Sequence, residues 1–209
     1  MHTTVLVNLA LKCKLSTTAP FFPLIVTSRV RVYREQDATI ECEAGSYIRL
    51  GYSGTGIAAF ESTGINLELH KAAVLRLRGV SLVGYGCSIC LYPNSVLEIG
   101  GGTYLAANSV IKCQKRVRIG DNCAISWNVT ILDSDFHPWS LNGQERNISK
   151  DVLIGDHVWI GNGAMILKGV TIGSGSIIAA GSIVTKDIPP HCLAAGNPAR
   201  VIQDGVSWR

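Results

Sequence analysis

Apolar residues return at every sixth position through the last part of the chain. From residue 154 the sequence divides into the hexads IGDHVW, IGNGAM, ILKGVT, IGSGSI, IAAGSI and VTKDIP. The first position is always aliphatic, and the fifth is small or aliphatic. An α-helix would rotate residues six apart by about 240° per step, so these positions could not form one stripe. A short strand followed by a tight turn does match the period, and Gly155, Gly161 and Gly173 suit such turns.

Each hexad is therefore predicted to be one strand and one corner of a solenoid, with the first-position residues in interior columns. The period continues upstream at Ile99, Leu105 and Ile111 and, after a two-residue slip, at Ile119, Ile125 and Ile131. Residues 40–80 show short alternating runs, which indicate strands. The predicted fold is all-β: an N-terminal arm or helix at 1–40, a hexapeptide-repeat β-helix at 41–188 and a C-terminal extension at 189–209.

The longest interruption of the repeat lies between Ile131 and Ile154, where the segment DSDFHPW begins at Asp133. Turn formers such as Pro138 and Gly143 predict an irregular loop, at about residues 132–153, that leaves the solenoid. Loops on rigid scaffolds often carry binding and catalytic side chains. This loop is therefore predicted to carry catalytic side chains.

Composition and charge narrow the function classes. The 209 residues are long enough for one principal domain without disulfides or metals. The formal net charge is +4, and no dense Lys/Arg run is present, which argues against a nucleic-acid partner. Residues 1–22 hold an apolar run too short to span a membrane, and a signal peptide is disfavoured.

The seven cysteines do not suggest a disulfide framework and favour a reducing, cytoplasmic location. Cys87 and Cys90 form a CxxC without a second pair at zinc-site spacing, so we interpret them as buried thiols. No metal is predicted.

The run VWIGNGAMILKGVTIGSGSIIAAGSIVTKDIPPHCLAAGNPARVI, at residues 158–202, resembles the hexapeptide-repeat acyltransferases. The similarity is strongest to the maltose, galactoside and polysaccharide O-acetyltransferases. It implies a left-handed parallel β-helix of triangular section that assembles as a homotrimer. It also implies acetyl-CoA as co-substrate and a hydroxyl of a sugar or polysaccharide as acceptor.

The resemblance assigns His137 as the general base that deprotonates the acceptor. A sugar hydroxyl is a poor nucleophile at neutral pH, whereas a histidine of ordinary pKa can accept its proton. Asp133 or Asp135 could orient the imidazole, and the sequence does not decide between them. Asn128 matches a position beside the acceptor. Trp159 matches a residue of the acceptor and pantetheine tunnel, with subunit packing as the alternative.

The last coils are predicted to bind the coenzyme. By resemblance, the backbone around Asn162 and Ala180 would bond the pantetheine amides. Thr185 and Lys186 would meet a phosphate, and Arg200 would lie near the adenosine. His157 is left unassigned, and His2 and His70 are interpreted as structural.

Three alternatives to a sugar O-acetyltransferase remain. A nucleotide-sugar N-acyltransferase would share the scaffold, and a non-catalytic assembly solenoid would need neither the loop nor the coenzyme signature. A zinc carbonic anhydrase on the same helix would need three histidines around one metal, and only His137 and His157 lie in suitable regions.

Overall fold

The computed structural model describes residues 24–26, 30–52 and 64–209, and these build a parallel β-helix with three faces. Face A contains, in order, β1 Leu24–Val26, β4 Tyr47–Tyr52, β7 Val80–Gly84, β10 Tyr104–Leu105, β13 Ala124–Ile125, β18 Trp159–Ile160, β21 Ile177–Ile178, β23 Leu193–Gly196 and β24 Ala199–Gln203. Face B contains β2 Val30–Arg34, β5 Ile65–Leu69, β8 Ser88–Leu91, β11 Val110–Cys113, β14 Thr130–Leu132, β19 Met165–Ile166 and β22 Ile183–Val184. Face C contains β3 Thr39–Cys42, β6 Val74–Arg78, β9 Val96–Gly100, β12 Arg116–Ile119, β17 Val152–Ile154 and β20 Thr171–Ile172.

The predicted interior columns are confirmed by the strand register. On face A, Ile125 pairs with Ile160, which pairs with Ile178. The equivalent columns on the other faces contain Ile131, Ile166 and Val184, and Ile119, Ile154 and Ile172. All of these side chains are buried in one core. Each fully buried aliphatic side chain contributes about 1.5–3 kcal/mol, so the six-residue period is the main source of the stability of the fold.

The chain visits the faces in the order A, B, C, and each change of face is a corner of the prism. The predicted loop occupies one B-to-C corner, between β14 and β17. It includes a small antiparallel hairpin, β15 Ser140–Leu141 with β16 Gln144–Glu145. The loop therefore leaves the solenoid without interrupting the stack, because β12 on face C pairs directly with β17 after it.

The ends of the β-helix differ from the predicted boundaries. Strands already form from Leu24, inside the segment predicted as an arm or helix, and residues 1–23, 27–29 and 53–63 lie outside the described residues. At the other end Ile178 pairs with Ala194, 16 residues on, whereas Ile160 pairs with Ile178, 18 residues on. Coils of unequal length hide the six-residue period at both ends. The repeat alone therefore underestimates how much of the chain belongs to the β-helix.

Residues 24–26, 30–52 and 64–209 include no helical segment with the length and hydrophobicity needed to cross a bilayer.

Candidate active site

A groove of about 570 Å³ opens at the A-to-B corner of the last coils. This volume lies in the range of small-molecule sites. The lining residues are Ser126, Trp127, Trp159, Gly161, Asn162, Ile177, Ile178, Ala179, Ala180 and Leu193. The structure thus brings together Trp159, Asn162 and Ala180 from the predicted set.

Small residues keep the floor of this groove close to the backbone. A Cβ atom added to Gly161 would lie 2.6 Å from the amide nitrogen of Ala180, so only glycine allows the two coils to approach this closely. The carbonyl of Asn162 accepts a hydrogen bond of 2.8 Å from Gly181. The Ala180 amide makes no hydrogen bond to the described residues and is free to donate to a ligand.

Indole rings form one wall of the groove and reach the neighbouring corner. Trp127 and Trp159 are 38% and 41% exposed, which is unusual for such large apolar side chains. The ring of Trp208 lies 6.3 Å from Trp159 and stacks on His157 at 4.0 Å with an interplanar angle of 4°. The Trp208 indole N–H also donates to the His157 carbonyl at 2.9 Å. The role of His157, which the sequence left open, is thus to hold the C-terminal segment beside the groove.

Asp133 anchors the start of the loop and does not contact His137. Its buried carboxylate accepts hydrogen bonds of 2.7 Å from each of the Gln114, Lys115 and Arg116 amides. It also accepts a contact from the Cys113 thiol, and burial together with this carboxylate raises the pKa of Cys113. The described hydrogen bonds of the Asp133 carboxylate therefore go to the scaffold, and none of them goes to the imidazole of His137.

Asp135 likewise contacts other partners. The Lys168 ammonium donates a short hydrogen bond to this carboxylate, and the Trp139 indole N–H donates to it at 2.7 Å. The lysine bond is the main reason that the pKa of Asp135 is lowered, despite an opposing effect of burial. Lys168 also donates to the Asn147 carbonyl at 2.7 Å, on the opposite side of the loop. Asp135 and Lys168 therefore fix the shape of the loop.

We expect Lys168→Met to loosen the loop while leaving the β-helix intact. The pair is partly exposed, so the loss of global stability should stay below about 1 kcal/mol. Amide hydrogen exchange at residues 136–148 should nevertheless accelerate, because Lys168 ties Asp135 to Asn147. Lys186→Met provides the control, since this lysine is exposed at an equivalent corner without these contacts. Equal exchange rates in the two variants would contradict this role for Lys168.

His137 lies on the exposed part of the loop, and its imidazole has no hydrogen-bonding partner among the described residues. The preceding residue, Phe136, has a positive φ of 61°, and its amide donates to the Ser134 hydroxyl at 3.0 Å. Phe136 packs against Tyr92 with 5.2 Å between ring centroids. The backbone is therefore held firmly on the N-terminal side of His137, while the imidazole itself remains available to a substrate.

The other predicted residues are exposed and lie outside the groove lining. Asn128 occupies an A-to-B corner with a φ of 59°, and its amide donates to the Ala107 carbonyl. Thr185 and Lys186 follow β22 at a B-to-C corner, on the same edge as the loop. Arg200 lies in β24 and donates to the Ala199 carbonyl. Within one chain, the groove and the His137 loop are thus at different corners of the prism.

Sequence reasoning missed several contributors to this site. Trp127 and Ser126 line the groove one coil before Gly161, and Leu193 lines it from the last coil. Trp127 could have been found from the repeat. It lies two residues after the first position of its hexad, as Asn162 and Ala180 do in their hexads. The contact between Trp208 and His157 joins residues 51 positions apart and had no sequence signal.

A parallel β-helix built from six-residue repeats is the architecture of the hexapeptide-repeat transferases. The family model "Bacterial transferase hexapeptide (six repeats)" matches residues 151–186. Nodulation protein L of Rhizobium meliloti (strain 1021) is 42% identical over 130 residues, which cover 59% of this chain and 70% of that protein. The chain belongs to the hexapeptide-repeat acyltransferase family, and its fold is the left-handed parallel β-helix.

Other comparisons point to enzymes that modify sugars. The polysialic acid O-acetyltransferase of Escherichia coli O1:K1 / APEC is 43% identical over 117 residues, or 54% of this chain. The chain spans only 38% of the length of that relative. The crystal structure of the polySia-specific acetyltransferase NeuO superposes with a TM-score of 0.55 at 25% identity, covering 93% of this chain and 88% of that one.

Proposed function

We propose that this protein is an acetyl-CoA-dependent O-acetyltransferase whose acceptor is a hydroxyl of a sugar or polysaccharide. The observation that carries the proposal is the groove, whose floor of Gly161, Ala179 and Ala180 lets an extended ligand reach the backbone. A pantetheine arm is a narrow chain with amide groups, so it needs backbone hydrogen bonds and little side-chain bulk. The similarity to polysialic acid O-acetyltransferases supports the class of acceptor.

We infer that the active site is completed between subunits of a homotrimer. The groove lies at an A-to-B corner, whereas the His137 loop, Thr185 and Lys186 lie at B-to-C corners. The interfaces of a three-fold assembly are heterologous, which means that two different surfaces of neighbouring subunits meet. An A-to-B corner of one subunit can therefore face a B-to-C corner of the next. The exposure of Trp127 and Trp159 beside the groove favours a covered surface there.

In the proposed reaction, His137 accepts the proton of the acceptor hydroxyl while the oxygen attacks the thioester carbonyl. The tetrahedral adduct collapses as the carbon–sulfur bond breaks, and the thiolate of coenzyme A takes the proton from the imidazolium. The acetyl group passes directly to the acceptor without a covalent enzyme intermediate, and no metal is required for this step. Thr185 and Lys186 are proposed to contact a coenzyme phosphate, and Arg200 the adenosine end; lysine and arginine are suited to such anions.

The activity is tested by thiol release from acetyl-CoA in the presence of polysialic acid, with a simple galactoside as the second acceptor. Acceptor-dependent thiol release and acetyl-ester formation would support the proposal. Coenzyme binding without transfer to any hydroxyl acceptor would contradict the acceptor class. No coenzyme binding by the trimeric protein would contradict the transferase assignment.

Filling the groove should weaken coenzyme binding without affecting the fold. Ala180 is exposed at the floor of the groove, so Ala180→Leu places a larger side chain where the pantetheine is proposed to lie. We expect the Kd for acetyl-CoA, measured by calorimetry, to rise about 10–100-fold, which is about 1.4–2.7 kcal/mol. Thr171→Leu is the control, because Thr171 is exposed on face C. Equal affinities of the two variants for acetyl-CoA would show that the coenzyme does not bind in this groove.

A further inference from the structure

A second cluster of chemically active side chains lies on face B, away from the groove. Glu68 on β5, His70 directly after β5, and Cys90 on the adjacent strand β8 place one ligand atom each within 4.8 Å of one another. The groove, in contrast, is lined by face A strands of later coils. The proposed acetyl transfer uses none of these three residues.

The distances suit one tetrahedral ion. Glu68 Oε2 lies 3.4 Å from Cys90 Sγ and 3.6 Å from His70 Nε2. Around a tetrahedral zinc ion with bonds of about 2.0–2.3 Å, neighbouring ligand atoms are separated by roughly 3.3–3.7 Å. The same carboxylate oxygen thus stands at nearly the required separation from both other donors, and the ligand atoms of His70 and Cys90 lie within 4.8 Å of each other, so a small side-chain movement would complete the tetrahedral set.

Each ligand is oriented by a second residue. The Glu35 carboxylate lies 3.1 Å from His70 Nδ1, so the other ring nitrogen, Nε2, faces Glu68. Glu35 is itself fixed by the Lys71 amide, which donates at 2.7 Å. The Asn66 side chain donates to Glu68 Oε1 at 2.5 Å, which leaves Oε2 for the cluster. A carboxylate on the far nitrogen of a ligating histidine is the usual outer shell of a protein metal site.

The cluster is buried on the side of Cys90 and open to solvent on the side of His70 and Glu68. Cys90 is 6% exposed, whereas the side chains of His70 and Glu68 are 27% and 33% exposed. The His70 ring is also flanked by Tyr33 and Tyr92, with ring centroids 5.5 and 5.9 Å away. A metal bound here would therefore have three protein ligands and one position that water can reach.

We propose that Glu68, His70 and Cys90 form a zinc-binding site that links β5 to β8. Thiolate, imidazole and carboxylate in tetrahedral arrangement are the donor set of zinc rather than of magnesium or calcium. The site differs from that of a β-helical carbonic anhydrase, because it needs one histidine. Its sequence signal is a Glu-x-His followed one coil later by Cys90, opposite Glu68 in the strand register. In the sequence this signal is easily missed, because Cys90 also forms a CxxC with Cys87 and the two are interpreted together as buried thiols.

The test uses the full-length protein after removal of metal by EDTA, titrated with cobalt(II) and then with zinc. The wild type should bind one equivalent and show a thiolate-to-cobalt charge-transfer band that zinc abolishes. Cys90→Ser should lose this band and His70→Gln should bind zinc at least about 100-fold more weakly. Glu35→Gln should lower the affinity about 10–100-fold, because outer-shell partners have effects of this size.

Cys87→Ser is the matched control, since Cys87 lies three residues away and points into the core, where it donates to the Ala106 carbonyl. This variant should bind cobalt like the wild type. A charge-transfer band that persists in Cys90→Ser, or no metal binding by the wild type, would overturn the proposal. Circular dichroism of each metal-free variant separates loss of the site from loss of the fold, and the binding assay does not depend on acetyl transfer.

Discussion

Replacing His137 by alanine is expected to lower kcat about 10³-fold, the largest effect on activity of any single substitution in this chain. A positioned general base contributes about 10²–10⁴ in rate, and the hydroxyl acceptor has no other activation in the proposed reaction. The imidazole makes no hydrogen bond to the described residues, so its removal should leave the fold unchanged. The Kd for acetyl-CoA should also remain within about twofold, because the coenzyme is proposed to bind mainly to the groove, whose lining does not include His137.

Steady-state kinetics with an acetylated product as readout, together with calorimetric titration of acetyl-CoA, measure both quantities. Leu141→Ala is the control, since Leu141 is 52% exposed on the same loop and is assigned no role in chemistry. A His137→Ala enzyme with more than a tenth of the wild-type kcat would show that another group removes the proton. A large rise in Kd with little change in kcat would instead make His137 a binding residue.

The fold was predictable because one physical rule repeats along the chain. In the last coils every sixth residue must fill an interior column, so the periodicity alone assigns Ile154, Ile160 and Ile166 to the core. The rule fails where the coils change length, as between Ile178 and Ala194, because the columns continue while the spacing changes. The early coils, where Leu50 pairs with Val83, are similarly hidden by long connections.

The candidate site was predictable to the extent that it depends on local sequence. Asn162 and Ala180 share a groove because each lies two residues after the first position of its hexad, at the same corner, and Trp159 lies directly before the first position Ile160. The partners of Asp133 and Asp135 could not be deduced, since they are backbone amides of the previous coil and a lysine 33 residues later. Proximity to His137 in the sequence suggested an orienting carboxylate, whereas in the structure the Asp133 side chain bonds the previous coil and the Asp135 side chain bonds Trp139 and Lys168.

Replacing Asp133 by alanine is expected to reduce the free energy of unfolding by about 3–5 kcal/mol, the largest stability effect of a polar substitution at this loop. Asp133 is fully buried and accepts hydrogen bonds from the amides of Gln114, Lys115 and Arg116. Hydrogen bonds to a charged group contribute about 1.5–3 kcal/mol each, and buried donors left without a partner add to the cost. The melting temperature should fall by about 10 °C in a chain of this size.

Asp135→Ala is the matched control two residues along the same loop. Its carboxylate is 35% exposed and forms an ion pair with Lys168, so its loss should cost less than about 1 kcal/mol. Denaturant unfolding of both variants, followed by circular dichroism, gives the comparison directly. If Asp133→Ala were no less stable than Asp135→Ala, the three amide bonds would not anchor the loop, and an orienting role for Asp133 towards His137 would have to be reconsidered. The expected difference would instead assign Asp133 to the scaffold and leave the imidazole of His137 to be oriented by the substrate or a neighbouring subunit.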